Sequence, residues 1–247
     1  MIETKSPEIG LLYQNLKDVE AALSEPIEAG DLAQEILDFL AMAAGLKSVF
    51  LLGRGVELLE WIAGARDLAG KFGFYVMQGP FWDATPFGKF PDWYRDYTVT
   101  QLVPFRATYI CSSRETAQEI GSIKDSGGRL SMMVEARLLG YPECCVVAHY
   151  DRVVSYHHAI FSILKRLAGG DEAQMQALLR GGAALAPKTK REIAHMEAAF
   201  ELHPAPYGSW NQCPHCARNE ESLSAELSRI FRSLAETTDA EWSQELR

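Results

Sequence analysis

Leu138-Leu139-Gly140-Tyr141-Pro142-Glu143-Cys144-Cys145-Val146 is the stretch on which the reading of this chain turns. Gly140 suits the left-handed position that ends one helix, and Pro142 suits the first position of the next. A long helix over about 142–168 is therefore predicted, with others at about 171–180, 187–201 and 214–235. Upstream, apolar β-rich runs alternate with helical patterns. The predicted fold class is α/β in the N-terminal half, a small sheet with flanking helices, followed by a mainly α-helical C-terminal half.

The same stretch sets Cys144 and Cys145 in the first turn of a helix. Backbone N–H groups there lack intrahelical partners and the helix dipole is positive. Both effects favour thiolate over thiol. About seventy residues later Cys213-Pro214-His215-Cys216 repeats the arrangement, with Pro214 just inside a second helix start. Four of the five cysteines lie in these two clusters.

Working outward, residues 7–24 read as an amphipathic helix capped by Ser6. Asp31 is expected to cap a second, with Leu32, Ile36, Leu37, Leu40 and Ala44 facing a core and Gly45 ending it. Val49–Leu52 reads as a buried strand, 56–70 as a helix and 72–77 as a strand. Residues 78–96 form a loop rich in Gly, Pro and aromatic residues. The β-rich segments 97–105 and 107–111 are expected to be strands. Ser112-Ser113-Arg114-Glu115 reads as a capping box opening another helix, and Gly127-Gly128 separates that helix from one at 129–139. Residues 1–125 are assigned to an α/β unit with N-terminal helices and 126–247 to a helical cysteine-cluster unit, unless the boundary lies inside one mixed domain.

The chain has 247 residues, of which 47% are hydrophobic and 23% charged. A chain this long buries a core without disulfide staples. Its net charge of −9 argues against a broad nucleic-acid surface. Lys188, Lys190 and Arg191 form a short basic cluster that reads as a solvated helix face. No apolar run reaches the ~18 residues of a membrane span, and Met1–Gly10 lacks the pattern of a secretory signal. The expected location is the cytoplasm, where clustered cysteines read as metal ligands or reactive thiols.

Neighbouring cysteines at a helix start point about 100° apart. Zinc sites more often space their ligands by two to four residues. An iron–sulfur cluster accepts adjacent thiolates on different irons, so Cys144, Cys145, Cys213 and Cys216 suit a [4Fe–4S] cluster. Zn²⁺ is the alternative. Cys145 and His149 share a helix face, giving a Cys₃His set with Cys213 and Cys216, and His215 is a further ligand choice. A third reading is a thiol–disulfide pair at Cys213 and Cys216, or plain buried cysteines.

Leu138–Val146 resembles the hallmark of an uncharacterised prokaryotic family built around Gly-Tyr-Pro-x-Cys-Cys. The later Cys213–Cys216 resembles that family's C-x-x-C motif. The ligand pattern alone is similar to that of the iron–sulfur epoxyqueuosine reductases, which carry their adjacent pair near the N-terminus. That likeness implies cluster ligation and not a shared reaction.

Weaker signals complete the set. Cys111 ends a predicted strand and is a candidate catalytic thiol or a buried packing residue. Arg54, in Leu52-Gly53-Arg54-Gly55, is a candidate anion contact. Arg137, Arg152 and Glu143 are near enough in sequence to charge a pocket beside the cysteines. His157 and His158 are adjacent and cannot share a helix face. The aromatic loop 81–94 is either a lid or packing over the sheet edge.

Together these features predict a metalloenzyme with a [4Fe–4S] cluster, acting on a small molecule by redox or sulfur-transfer chemistry. An electron- or sulfur-donor protein would be its partner. The alternative is a zinc-stabilised helical binding or adaptor protein with no catalysis.

Overall fold

The first two helices, Ser6–Ala21 (α1) and Ala29–Ala43 (α2), supply much of the core because their apolar residues recur at helical spacing. Leu12, Leu16, Ile36, Leu37 and Leu40 are essentially inaccessible. Gly45 ends α2 with φ +77°, and the Leu46 N–H reaches the Ala41 carbonyl at 2.9 Å. The computed structural model describes residues 6–24, 29–53, 58–78, 89–102, 108–126, 129–181, 188–200, 202–244 and 246.

Val49–Leu52 (β1), Tyr75–Gln78 (β2) and Thr108–Cys111 (β3) form an antiparallel sheet in the order β1-β3-β2. Cys111 sits on the central strand, opposite Val49 on one side and Tyr75 on the other. Leu59–Lys71 (α3) links β1 to β2 and packs on α1. Glu35 on α2 is buried, where it accepts from Trp61 Nε1–H (2.7 Å) and from the Gly53 N–H (3.3 Å).

Several local expectations shift. Asp92–Leu102 (α4) is helical where Tyr97 to Leu102 reads as strand. Pro91 provides the start, its carbonyl accepting from the Tyr94 and Arg95 N–H groups. Phe90 and Tyr94 then pack against His158 and Phe161 of the long helix, and this tertiary contact overrides β propensity. Arg114–Ser126 (α5) is capped by Ser113, one residue beyond the expected cap, with Ser113 Oγ accepting from the Thr116 N–H at 3.1 Å.

Arg129–Leu138 (α6) leads into Glu143–Leu167 (α7), followed by Glu172–Arg180 (α8) and Lys190–Phe200 (α9). Asp171 caps α8. Thr189 and Glu192 form a reciprocal capping box at α9, and Arg166 of α7 grips Glu192 through two 3.1 Å contacts. The expected 214–235 helix is instead two: Pro214–Ala217 (α10) and Leu223–Thr238 (α11), the second capped by Ser222. A 3-10 turn, Trp242–Gln244, follows.

The main hydrophobic cluster draws on both ends of the chain. Tyr13 of α1 donates to Asp239 Oδ2 (3.0 Å) and stacks near Trp242 at 5.0 Å. Phe231, Leu234 and Ala235 of α11 join the same cluster as α1 and α2, and so do Cys145, Cys213 and Cys216. No helix among the described residues is long and apolar enough to cross a membrane.

Candidate metal centre

The turn between α6 and α7 is built for close packing. Gly140 has φ +76°, and a Cβ there would stand 3.0 Å from Lys47 Cβ. Lys47 in turn is buried in an ion pair with Asp38 (2.7 Å). Pro142 is the cap of α7 and not its first residue. Its extended backbone (φ −61°, ψ 128°) lets its carbonyl accept from the N–H groups of Cys145 and Val146. Cys144 and Cys145 are therefore the second and third residues of the helix.

The second half of the site hangs on a loop braced by side chains. Ala205 to Gly208 turn back on themselves, and the Ala205 and Gln212 N–H groups bond to Trp210 and His203 carbonyls. Ser224, fully buried on α11, accepts from Trp210 Nε1–H (2.9 Å) and from Gln212 Nε2–H (3.0 Å). Ser209 Oγ donates to the Tyr141 hydroxyl (3.2 Å), tying this loop to the Gly140–Pro142 turn. Cys213 then caps α10, with its Sγ accepting from the Cys216 N–H at 3.4 Å.

These constraints bring the two clusters together. Sγ of Cys144, Cys145, Cys213 and Cys216 all lie within 4.8 Å of one another, and the group could hold a metal ion. Cys144 Sγ is 3.5 Å from Cys216 Sγ and 4.0 Å from Cys145 Sγ. The Cys213 N–H points at Cys145 Sγ (3.4 Å). Two of the sulfurs thus receive a backbone N–H, which favours thiolate. Cys145, Cys213 and Cys216 are buried, while Cys144 is exposed.

Without a metal charge, burial dominates the thiols. It pushes Cys144 up to about 11, helped by the neighbouring thiols, and raises Cys145 further despite the Cys213 N–H. The helix start alone does not offset that desolvation. Burial also opposes ionisation of Cys213, but the Cys216 N–H and the surrounding thiols together outweigh it and hold Cys213 below the ordinary thiol value. Cys213 is thus the most easily ionised of the three shifted thiols, and a bound cation would reverse the balance at the others.

The remaining sequence candidates lie apart. His149 and His215 are not members of the sulfur group. The His149 ring instead stands edge-on to Tyr150 at 5.5 Å. Cys111 is fully buried on the central strand, where desolvation raises its thiol to about 11. Its strand is antiparallel to both neighbours, so it has no parallel-sheet crevice. Arg54 and residues 79–88 of the aromatic loop lie outside the described residues. Arg137 pairs with Glu119. Arg152 is the exception among the charged neighbours: its Nε and Nη2 are buried with no hydrogen-bond partner. His157 faces the Tyr94 hydroxyl at 3.0 Å, in the aromatic cluster.

Sequence reasoning missed the Ser224 brace. Its signal was present: Ser224, Ser228, Phe231 and Ala235 share the inward spacing of α11, so a serine stands where the period demands a core residue.

No family model, curated protein or solved structure matches the chain.

Proposed function

We propose that Cys144, Cys145, Cys213 and Cys216 hold a single tetrahedral ion, zinc by its all-thiolate donor set, in a metal-stapled helical binding module. The sulfur spacing carries this reading. A metal–sulfur bond of ≈ 2.3 Å gives a tetrahedral edge of about 3.8 Å, and the separations of 3.5 and 4.0 Å bracket it. A [4Fe–4S] cluster places each thiolate on a different iron, which spreads the sulfurs well beyond one ion's coordination sphere. Adjacency of Cys144 and Cys145 favours the cluster in sequence, but the spacing favours the single ion. Four sulfurs complete a tetrahedral set without His149 or His215.

In this reading the ion locks the start of α7 to α10 and so to the C-terminal helix. Such structural zinc sites contribute folding energy directly. Exposure of Cys144 supports a second reading. With iron in the site, that sulfur would be the point where a small molecule, or an electron- or sulfur-donor protein, approaches.

Metal analysis of protein purified without oxygen tests both. About one zinc per chain and no acid-labile sulfide is expected, and cobalt should replace zinc to give the visible bands of a tetrahedral thiolate site. A brown protein with matching amounts of iron and sulfide would overturn the single-ion reading and restore the cluster.

A further inference from the structure

A hollow of about 410 Å³ opens between the C-x-x-C turn and one face of α11. Ala225, Ser228, Arg229 and Arg232 line it from the helix, at the i, i+3, i+4, i+7 spacing of a single face. Tyr207, Gln212 and Cys216 line it from the loop side. We propose that this hollow binds a small organic anion, a phosphate or carboxylate group carried on an apolar body.

Three features carry the proposal. The first is charge. Arg232 is paired with Glu236 (2.8 Å), whereas Arg229, among the described residues, reaches the Ala225 carbonyl, 3.4 Å from its Nε. Guanidinium groups one turn apart match the forked geometry of phosphate and carboxylate oxygens. Glu220 also lines the hollow and opposes an anion, so the two arginines must act together.

The second is Ser228. It is 7% exposed, and its Oγ is buried without a hydrogen-bond partner among the described residues. An unsatisfied buried hydroxyl is costly, and a ligand oxygen on this wall would satisfy it.

The third is Tyr207, the only non-glycine residue with positive φ (57°) among the described residues. It follows Pro206 in a turn closed by the Gly208 N–H on the Ala205 carbonyl, where glycine is the usual choice. Strain of this kind collects at binding sites. Here it sets the Tyr207 ring, buried at 6% exposure, into the wall of the hollow. With Ala217 and Ala225, this ring gives the apolar surface that an organic body requires.

The test is calorimetric titration of the full, metal-loaded chain with phenyl phosphate, benzoate and inorganic phosphate at fixed salt. Saturable binding of phenyl phosphate or benzoate, tighter than inorganic phosphate, is expected; which of the two wins identifies the head group. Arg229→Gln should weaken binding roughly tenfold, and Ser228→Ala by several-fold. Glu220→Gln should tighten it. Ser228→Ala should also raise the melting temperature of the free protein while weakening the complex, a combination that a purely structural serine does not give. Absence of saturable binding to protein with full metal content overturns the proposal, as does binding indifferent to Arg229→Gln and Ser228→Ala. Zinc measured on the same samples separates this outcome from failure of the metal reading, because the hollow requires the folded turn and not a particular ion.

Discussion

The backbone N–H of Cys213 points at the sulfur of Cys145 at 3.4 Å. One residue caps the short helix α10, and the other ends the first turn of α7. The contact joins two chain segments through a candidate ligand sulfur, so each half of the cysteine group orients the other. Outer contacts of this kind fix ligand geometry and tune affinity.

Loss of a ligand should therefore be felt as loss of fold. Replacing Cys145, Cys213 or Cys216 by Ser is expected to abolish stoichiometric metal and to cost on the order of 3 kcal/mol, about a quarter of a typical structural zinc contribution. Cys144→Ser should be the mildest, because water can complete the exposed corner. Metal content and urea denaturation measure both quantities. An unchanged denaturation midpoint in Cys216→Ser would contradict a stapling role.

Cys111 should behave as a core residue. Its thiol titrates at about 11 because of burial, against an ordinary value of 9.0. In the native state it should resist alkylation at neutral pH and react only on unfolding. The folded state keeps a proton that the unfolded chain releases, so the stability from this group is full below pH 9 and declines as pH rises from about 9 to 11. Stability measured over that range in the native chain and in Cys111→Ala should show a shallower alkaline decline in the variant, with metal content unchanged.

Acid should weaken α9. The Arg166 guanidinium, together with the Thr189 N–H, holds the Glu192 carboxyl below its usual 4.5 against the opposing effect of burial. Its stabilising contribution is present above pH 4.5 and is lost as pH falls through the lower folded value. Glu192→Gln should cost about 1 kcal/mol at pH 7 and flatten the acid limb. Hydrogen exchange of the α9 amides across that range measures the loss locally.

Arg152 should be expendable for stability. Arg152 is half-buried, and its two buried nitrogens, unpartnered among the described residues, carry a desolvation cost that an apolar side chain of similar length removes. Arg152→Met is expected to raise unfolding free energy by about 1 kcal/mol in urea. A loss of that size instead would show that its aliphatic stem packs more strongly than its charge destabilises.

Much of this was legible in the chain because the deciding signals are local. Gly140, Pro142 and the cysteine spacing mark a helix end, a helix start and a thiolate pair within nine residues. Small sheet, flanking helices and helical second half follow from periodicity. The α4 helix was not legible, since Phe90 and Tyr94 hold it only against α7. Nor was the break between α10 and α11: Leu223, Leu227 and Ile230 continue a helical period that the chain interrupts so that Cys216 can turn inward. The sulfur separations depend on how residues seventy positions apart meet, and no spacing rule reports that.

The contact of Tyr13 with Asp239 and Trp242 bears on synthesis. During vectorial translation α1 emerges long before the residues that close over it. The apolar faces of α1 and α2 must wait, partly uncovered, until α11 and Trp242 have left the ribosome. Cys144 and Cys145 likewise appear long before Cys213, so an early pair of thiols is open to oxidants for the time that the intervening helices take to be made. Chaperone protection and a reducing environment would matter most for the nascent protein, and least for the finished one.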